Sequence, residues 1–126
     1  MLTAAGAAAT GIAGSATAGL VNFTHDLDRW NGEHSWQVVD ANSVTVASMS
    51  PSGSTIGMWY PGATVTAFTT YSASSHWGTV SGTMDLANGT YNVYMQDAYS
   101  DGWAWGSFVG SLAIGSGSAV ASSLAL

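Results

Sequence analysis

At 126 residues the chain suits one domain with a modest core, and with no cysteine it can build no disulfide, thiolate metal site or cysteine nucleophile. Charged residues are only 6% of the total, lysine is absent, Arg29 stands alone as a permanent cation and the net charge is −6. Phosphate recognition needs Lys and Arg, so nucleic acid is excluded as a partner, and so is a polybasic membrane contact.

The first twenty residues, MLTAAGAAATGIAGSATAGL, form their own compositional zone, sixteen of them Ala, Gly, Ser or Thr. A signal peptide needs a basic start and a compact apolar stretch, and this segment has neither. Ala and Gly carry little transfer energy, and no aromatic or basic anchors flank the segment, which disfavours a membrane helix. Residues 1–21 are therefore expected to be a small-residue N-terminal arm, either flexible or ordered against a neighbouring subunit, with residues 22–126 as a β-sandwich domain.

Past this arm come short alternating runs broken by Gly, Asn, Ser and Pro. Strands are expected at His34–Asp40 and Ser43–Met49 around an Ala41-Asn42 turn, then at Thr55–Tyr60 and, beyond Pro61-Gly62, at Thr64–Tyr71. Thr79–Leu86 and Thr90–Gln96 flank Asn88-Gly89, a pair that favours a type I′ hairpin. Ser107–Ile114 and Ser118–Leu124 complete the series. No helical period is present after position 21, and about eight strands at this spacing predict an all-β antiparallel sandwich or jelly roll.

Five of the seven acids fall near two points of the chain. Asp26, Asp28 and Glu33 read as one loop before the first strand, and Asp97 and Asp101 follow the Thr90–Gln96 strand. The second stretch, Asp97-Ala98-Tyr99-Ser100-Asp101-Gly102-Trp103, has the D-x-x-x-D-G spacing that begins a calcium loop, where alternate residues aim oxygens at one centre and glycine permits the sharp turn. Tyr99 stands where an EF-hand offers Asp or Asn, and no closing glutamate follows, so an EF-hand is not expected. Two readings stay open: a calcium-stiffened β-loop, or a turn in which Asp97 and Asp101 accept backbone amides.

The stretch Asp28 to Trp36 (DRWNGEHSW) resembles the D-x-x-x-x-E-x-S-W opening of a family of marine and bacterial secreted β-sandwich domains, and Asp97 to Trp103 (DAYSDGW) resembles that family's D-S-Y-G-D-G-W signature. The resemblance runs from about Thr24 to Ala121. It implies an accessory module of a surface, secreted or virion protein, without catalytic residues. Carried over by position, it implies an acidic cluster of Asp28, Glu33, Asp97 and Asp101 around one cation; Tyr99 and Trp103, which fall within the calcium-loop spacing, are further metal-site candidates. This sequence departs from the pattern at Ser100, where the family has glycine, and at Ala104-Trp105, where Asn-Gly is common.

Trp30, Trp103 and Trp105 lie beside the acidic loops and are candidates for contact with a glycan or a neighbouring subunit, whereas Trp36 and Trp59 fall inside expected strands and read as core. His25, His34 and His76 have no close zinc spacing, and no G-x-S-x-G elbow exists, so catalysis is not expected. The expectation is a non-enzymatic structural subunit or decoration protein of an extracellular assembly such as a virion or surface filament, whose partners are other copies of itself or neighbouring particle subunits. The alternative is a calcium-dependent carbohydrate-binding or adhesion module.

Overall fold

The structure, a computed structural model, describes residues 14–16, 19–50, 60–72, 75–115 and 117–119. Within them run eleven strands: β1 (Gly14–Ala16), β2 (Gly19–Asp28), β3 (His34–Val39), β4 (Thr45–Met49), β5 (Ala63–Thr70), β6 (His76–Leu86), β7 (Gly89–Asp97), β8 (Ala104–Trp105), β9 (Phe108–Val109), β10 (Ser111–Ile114) and β11 (Gly117–Ala119). A single 3-10 turn, Asn31–Glu33, precedes β3, and no α-helix occurs among the described residues.

Two antiparallel sheets, ordered β1-β7-β3-β4 and β11-β10-β2-β6-β5, pack face to face, and β8 and β9 make a small separate ribbon. Period-2 alternation decides what each strand buries. Phe23, His25 and Leu27 point inward from β2, Val80, Met84 and Leu86 from β6, Trp36 and Val38 from β3, and Tyr91, Val93 and Met95 from β7. The sheets meet where the Phe23 ring stands edge-on to Trp36, with centroids 5.8 Å apart. Trp36 is thus core as expected, while Trp59 and most of the Thr55–Tyr60 and Ser118–Leu124 strands lie outside the described residues.

Several sequence expectations are corrected. The strands among the described residues outnumber the eight expected. Residues 22–28, read as arm boundary and loop, belong to β2, the middle strand of the larger sheet, so Asp26 and Asp28 are strand residues. The stretch read as an arm contributes Gly19–Val21 to β2, and its Gly14–Ala16 pairs with β7; the rest of the expected arm, residues 1–13 and 17–18, lies outside the described residues. The Ser107–Ile114 strand is broken at Gly110, whose amide donates to the Trp103 carbonyl at 2.5 Å.

The hairpin at Asn88-Gly89 does not form. β6 pairs with β2 and β5, β7 pairs with β1 and β3, and the Ala87-Asn88 link crosses from one sheet to the other. The Tyr91 hydroxyl braces this arch by donating to the Ala87 carbonyl at 2.6 Å. By contrast, Ala41-Asn42 does turn the chain between β3 and β4, where the Asp40 carboxylate accepts the amides of Asn42 and Val44. Pro61-Gly62 leads into β5 with Gly62 at φ 77 and the Ala63 amide on the Tyr60 carbonyl, as Pro-Gly favours in a type II turn.

Gly82 sits opposite Phe23 in the β2–β6 ladder. A Cβ there would meet the Thr64 carbonyl and come within 2.7 Å of the Phe23 ring, so the position has no room for a methyl group. Gly82→Ala is expected to cost about 1–3 kcal/mol of stability by overpacking, read as a lower urea midpoint at unchanged slope.

Candidate metal centre and a buried histidine chain

The β3–β7 register builds the site. His34 pairs with Asp97, so Glu33, immediately before β3, and Asp101, in the loop after β7, arrive at the same end of the same sheet. The Ala98 amide donates to the Glu33 carbonyl at 3.0 Å and continues the ladder by one step. One carboxylate oxygen from each of Glu33, Asp97 and Asp101 lies within 4.8 Å of the other two.

Asp97 is fully buried and also holds its own loop. Its Oδ2 accepts the amides of Asp101 at 2.8 Å and Tyr99 at 3.2 Å, while its Oδ1 is buried and has no hydrogen-bond partner. The loop then needs left-handed backbone at Ser100 (φ 66) and Gly102 (φ 85). Glycine reaches that region without steric cost and serine does not, so the departure at Ser100 adds strain here.

Three acids this close repel one another. The Glu33 carboxyl is pushed up to about 7, first by burial and then by the charges of Asp97, Asp101 and Asp28. Asp97 is also raised, chiefly by burial and further by the Asp101 carboxyl, against the backbone amides that favour its charged form. Such a cluster is relieved by a shared proton or by a cation. A hard cation takes six to eight oxygens. The three carboxylates, with the unpartnered Asp97 oxygen, fit part of such a shell, and backbone carbonyls and water would have to supply the rest.

The remaining candidates are used differently. Asp28 is buried, and its Oδ1 accepts from His34 Nε2 at 3.0 Å and from the Trp30 amide at 2.9 Å, so it is committed to the interior. Tyr99 gives its amide to Asp97 while its side chain is exposed. Trp103, expected at a contact surface, is fully buried: its indole lies flat on the His34 ring, with centroids 4.1 Å apart, and donates to the Gln96 carbonyl at 2.9 Å. Burying the largest apolar side chain of the loop over the core outweighs presenting it to a partner. Trp30 and Trp105 stay at the surface, 44% exposed each, in an edge-to-face pair with centroids 5.6 Å apart. The Arg29 guanidinium lies 5.4 Å from the Trp30 ring. Asp26 stands apart on β2, accepting from Thr79 Oγ1 at 2.5 Å with His76 Nε2 3.5 Å away.

The sequence reading missed a polar chain through the core. Tyr60 Oη lies 3.0 Å from His25 Nδ1, His25 Nε2 lies 3.1 Å from His34 Nδ1, and His34 Nε2 reaches Asp28. Burial lowers both histidine pKa values, for His25 with help from His34, and for His34 against the pull of the Asp28 carboxylate. With both rings neutral, one proton order satisfies every link. The tyrosine donates to His25, His25 to His34, and His34 to Asp28. The signal was parity: His25 alternates with Phe23 and Leu27, and His34 with Trp36 and Val38. At Leu27/Asp28 the β2–β6 register slips past Trp77, so both consecutive residues turn inward.

The chain matches no protein-family model, no curated protein and no solved structure. What the fold and site define is an all-β sandwich with an acidic cluster at one sheet end.

The shifts act on stability in opposite directions. The raised Glu33 value means the folded state holds a proton the unfolded chain releases, so its contribution is present below the ordinary carboxylate range and is lost as pH rises toward 7. The lowered histidine values mean the unfolded chain takes protons that the core refuses, so stability is lost as pH falls below about 6.5. In excess chelator, Glu33→Gln is expected to gain stability relative to wild type as pH rises from 5 to 8. Urea midpoints across that range check it, and parallel curves for the two proteins would refute the coupling. The same variant, freed of the opposing Glu33 contribution, is expected to lose stability more steeply than wild type between pH 6.5 and 5, as protons are forced on His25 and His34.

Proposed function

We propose that this chain is a non-enzymatic structural subunit or decoration protein of an extracellular assembly, a virion or surface filament, and that it works by self-association with its acidic end stiffened by calcium. The observation that carries the reading is the exposure of Leu20, Val44, Val65, Phe68, Tyr71 and Val109 on a surface nearly without charge. Free soluble domains keep apart through interspersed charges of both signs. Here a single arginine and no lysine leave that role unfilled, and exposed apolar side chains find their natural cover in another subunit.

Calcium bound by Glu33, Asp97 and Asp101 would neutralise the clustered charge and fix the two loops against each other. A second reading is favoured by the Trp30–Trp105 pair: a calcium-dependent carbohydrate-binding or adhesion module in which these rings, close in sequence to the acids, stack on a sugar face.

Light scattering in calcium and then in excess chelator tests the first reading. A large discrete oligomer or filament is the expected result, and a monomer at every concentration would overturn it. Calcium is expected to raise the melting temperature by mass action on the native state, and Asp101→Asn to diminish that rise. Equal melting with and without chelator would remove the cation from the proposal. Polysaccharide binding lost on Trp105→Ala and on chelation would move the assignment to the second reading.

A further inference from the structure

We infer that self-association runs through the free edge of β5, which pairs antiparallel with β5 of a second copy about a two-fold axis between Thr66 and Ala67, joining two five-stranded sheets into one of ten. The inference rests on the self-association reading and names its surface.

β5 is an edge strand: it pairs with β6 on one side, and no described strand lies on the other. Its eight residues, ATVTAFTT, carry no charge and no proline, and from Thr64 onward every one is exposed. Among the described residues no strand pairs with the outer row of amides and carbonyls of this edge. Natural proteins guard such rows with lysine, proline or inward charge, and β5 has none of these.

The occupant follows from the strand's own symmetry. Residues opposite one another across a ladder point to the same face, so β6 fixes the faces of β5. Ala63, Val65, Phe68 and Thr70 oppose the inward positions Met84, Gly82, Val80 and Gly78, whereas Thr64, Ala67 and Thr69 oppose the outward Thr83, Ser81 and Thr79. The ladder slips between Val65 and Ala67 at the extra residue, Thr66, whose hydroxyl donates to the Ser81 backbone carbonyl. The slip makes the face pattern of Ala63, Thr64 and Val65 mirror that of Thr70, Thr69 and Phe68, with its centre between Thr66 and Ala67.

Two copies in that register set Val65, 42% exposed, against the partner's Phe68, 41% exposed, twice by symmetry, with threonine facing threonine outside them. Aromatic against β-branched and threonine against threonine are both favourable cross-strand pairs. The irregularity lies on the axis, so the ladder relaxes there and the flanking pairs carry it. Charge agrees as well. The chain is acidic, yet neither β5 nor its partners Gly78–Met84 on β6 carry a carboxylate, so this edge joins copies without setting acid against acid.

The test is a charge swap at exposed positions, with Thr64→Lys/Thr69→Lys in one full-length protein and Thr64→Glu/Thr69→Glu in another. The register puts position 64 opposite 69, so each variant alone faces like charges across the axis and is expected to associate at least tenfold more weakly than wild type by analytical ultracentrifugation. An equimolar mixture is expected to associate again. Circular dichroism and melting confirm that each variant is folded. Undiminished association of either variant, or a mixture that stays monomeric when each variant alone is monomeric, would overturn the β5 pairing and leave self-association to another surface. A wild type that is monomeric at every concentration would overturn the self-association reading with it.

Discussion

The register between β3 and β7 is the constraint on which the rest of the molecule turns. Six pairs, from His34 opposite Asp97 to Val39 opposite Asn92, join the two central strands of the smaller sheet. A slip of β3 by one residue against β7 would turn Trp36 and Val38 to the opposite face and bring Ser35 and Gln37 to theirs, so burial of the large side chains holds the pairing in place. Once it holds, the loop before β3 and the loop after β7 have no freedom to separate. The acids at those two points are brought together by apolar residues several positions away, and their mutual repulsion is tolerated because the core behind them fixes the backbone.

Two polar systems share this end of the sandwich. The inner one, Tyr60–His25–His34–Asp28, is closed from water at its histidines and aspartate and is satisfied in one proton order. A fully connected buried chain of this kind rigidifies and specifies a core, whereas a half-satisfied one would destabilise it. The outer one, Glu33–Asp97–Asp101, is unsatisfied at Asp97 Oδ1 and crowded with like charge. They are electrically joined, because the Asp28 carboxylate that anchors the inner chain also raises the Glu33 carboxyl. Trp103 lies flat over the His34 ring of the inner chain, while its loop carries Asp101 of the outer cluster. A change in either system is therefore felt by the other through short distances in a medium of low polarity.

How far the sequence discloses this depends on whether the deciding interaction is local. Turn chemistry is local: Asp40 with Ala41-Asn42, and Pro61-Gly62, each act within a few residues, and both were legible. Strand β2 was not, because Thr24, His25, Asp26 and Asp28 interrupt its apolar alternation with residues that read as loop, although two of them are buried in polar pairs. Asn88-Gly89 misled for a related reason. The dipeptide favours a tight turn, but whether flanking strands pair or part into opposite sheets is decided by what they meet elsewhere, β2 and β5 for one and β1 and β3 for the other. The resemblance grouped Asp28, Glu33, Asp97 and Asp101, of which the structure brings the carboxylates of Glu33, Asp97 and Asp101 within 4.8 Å of one another. It could not reveal that the Leu27/Asp28 irregularity turns Asp28 toward His34, nor that Trp103 folds back over that ring.

The same scarcity of cations that marks the composition leaves its trace on the sheet edges. Where lysine is available, an exposed edge strand is commonly guarded by a positive charge that must be desolvated before another strand can pair. This chain has no lysine, and its one arginine stands over Trp30. Carboxylates could have served, yet neither β5 nor its partners Gly78–Met84 on β6 carry one, while Glu33, Asp97 and Asp101 are gathered at one end of the other sheet. The one irregularity of that edge, the slip at Thr66, would ordinarily discourage pairing. Here it moves the centre of the face pattern to between Thr66 and Ala67, and in the proposed pairing that register sets Val65 against the Phe68 of a second copy.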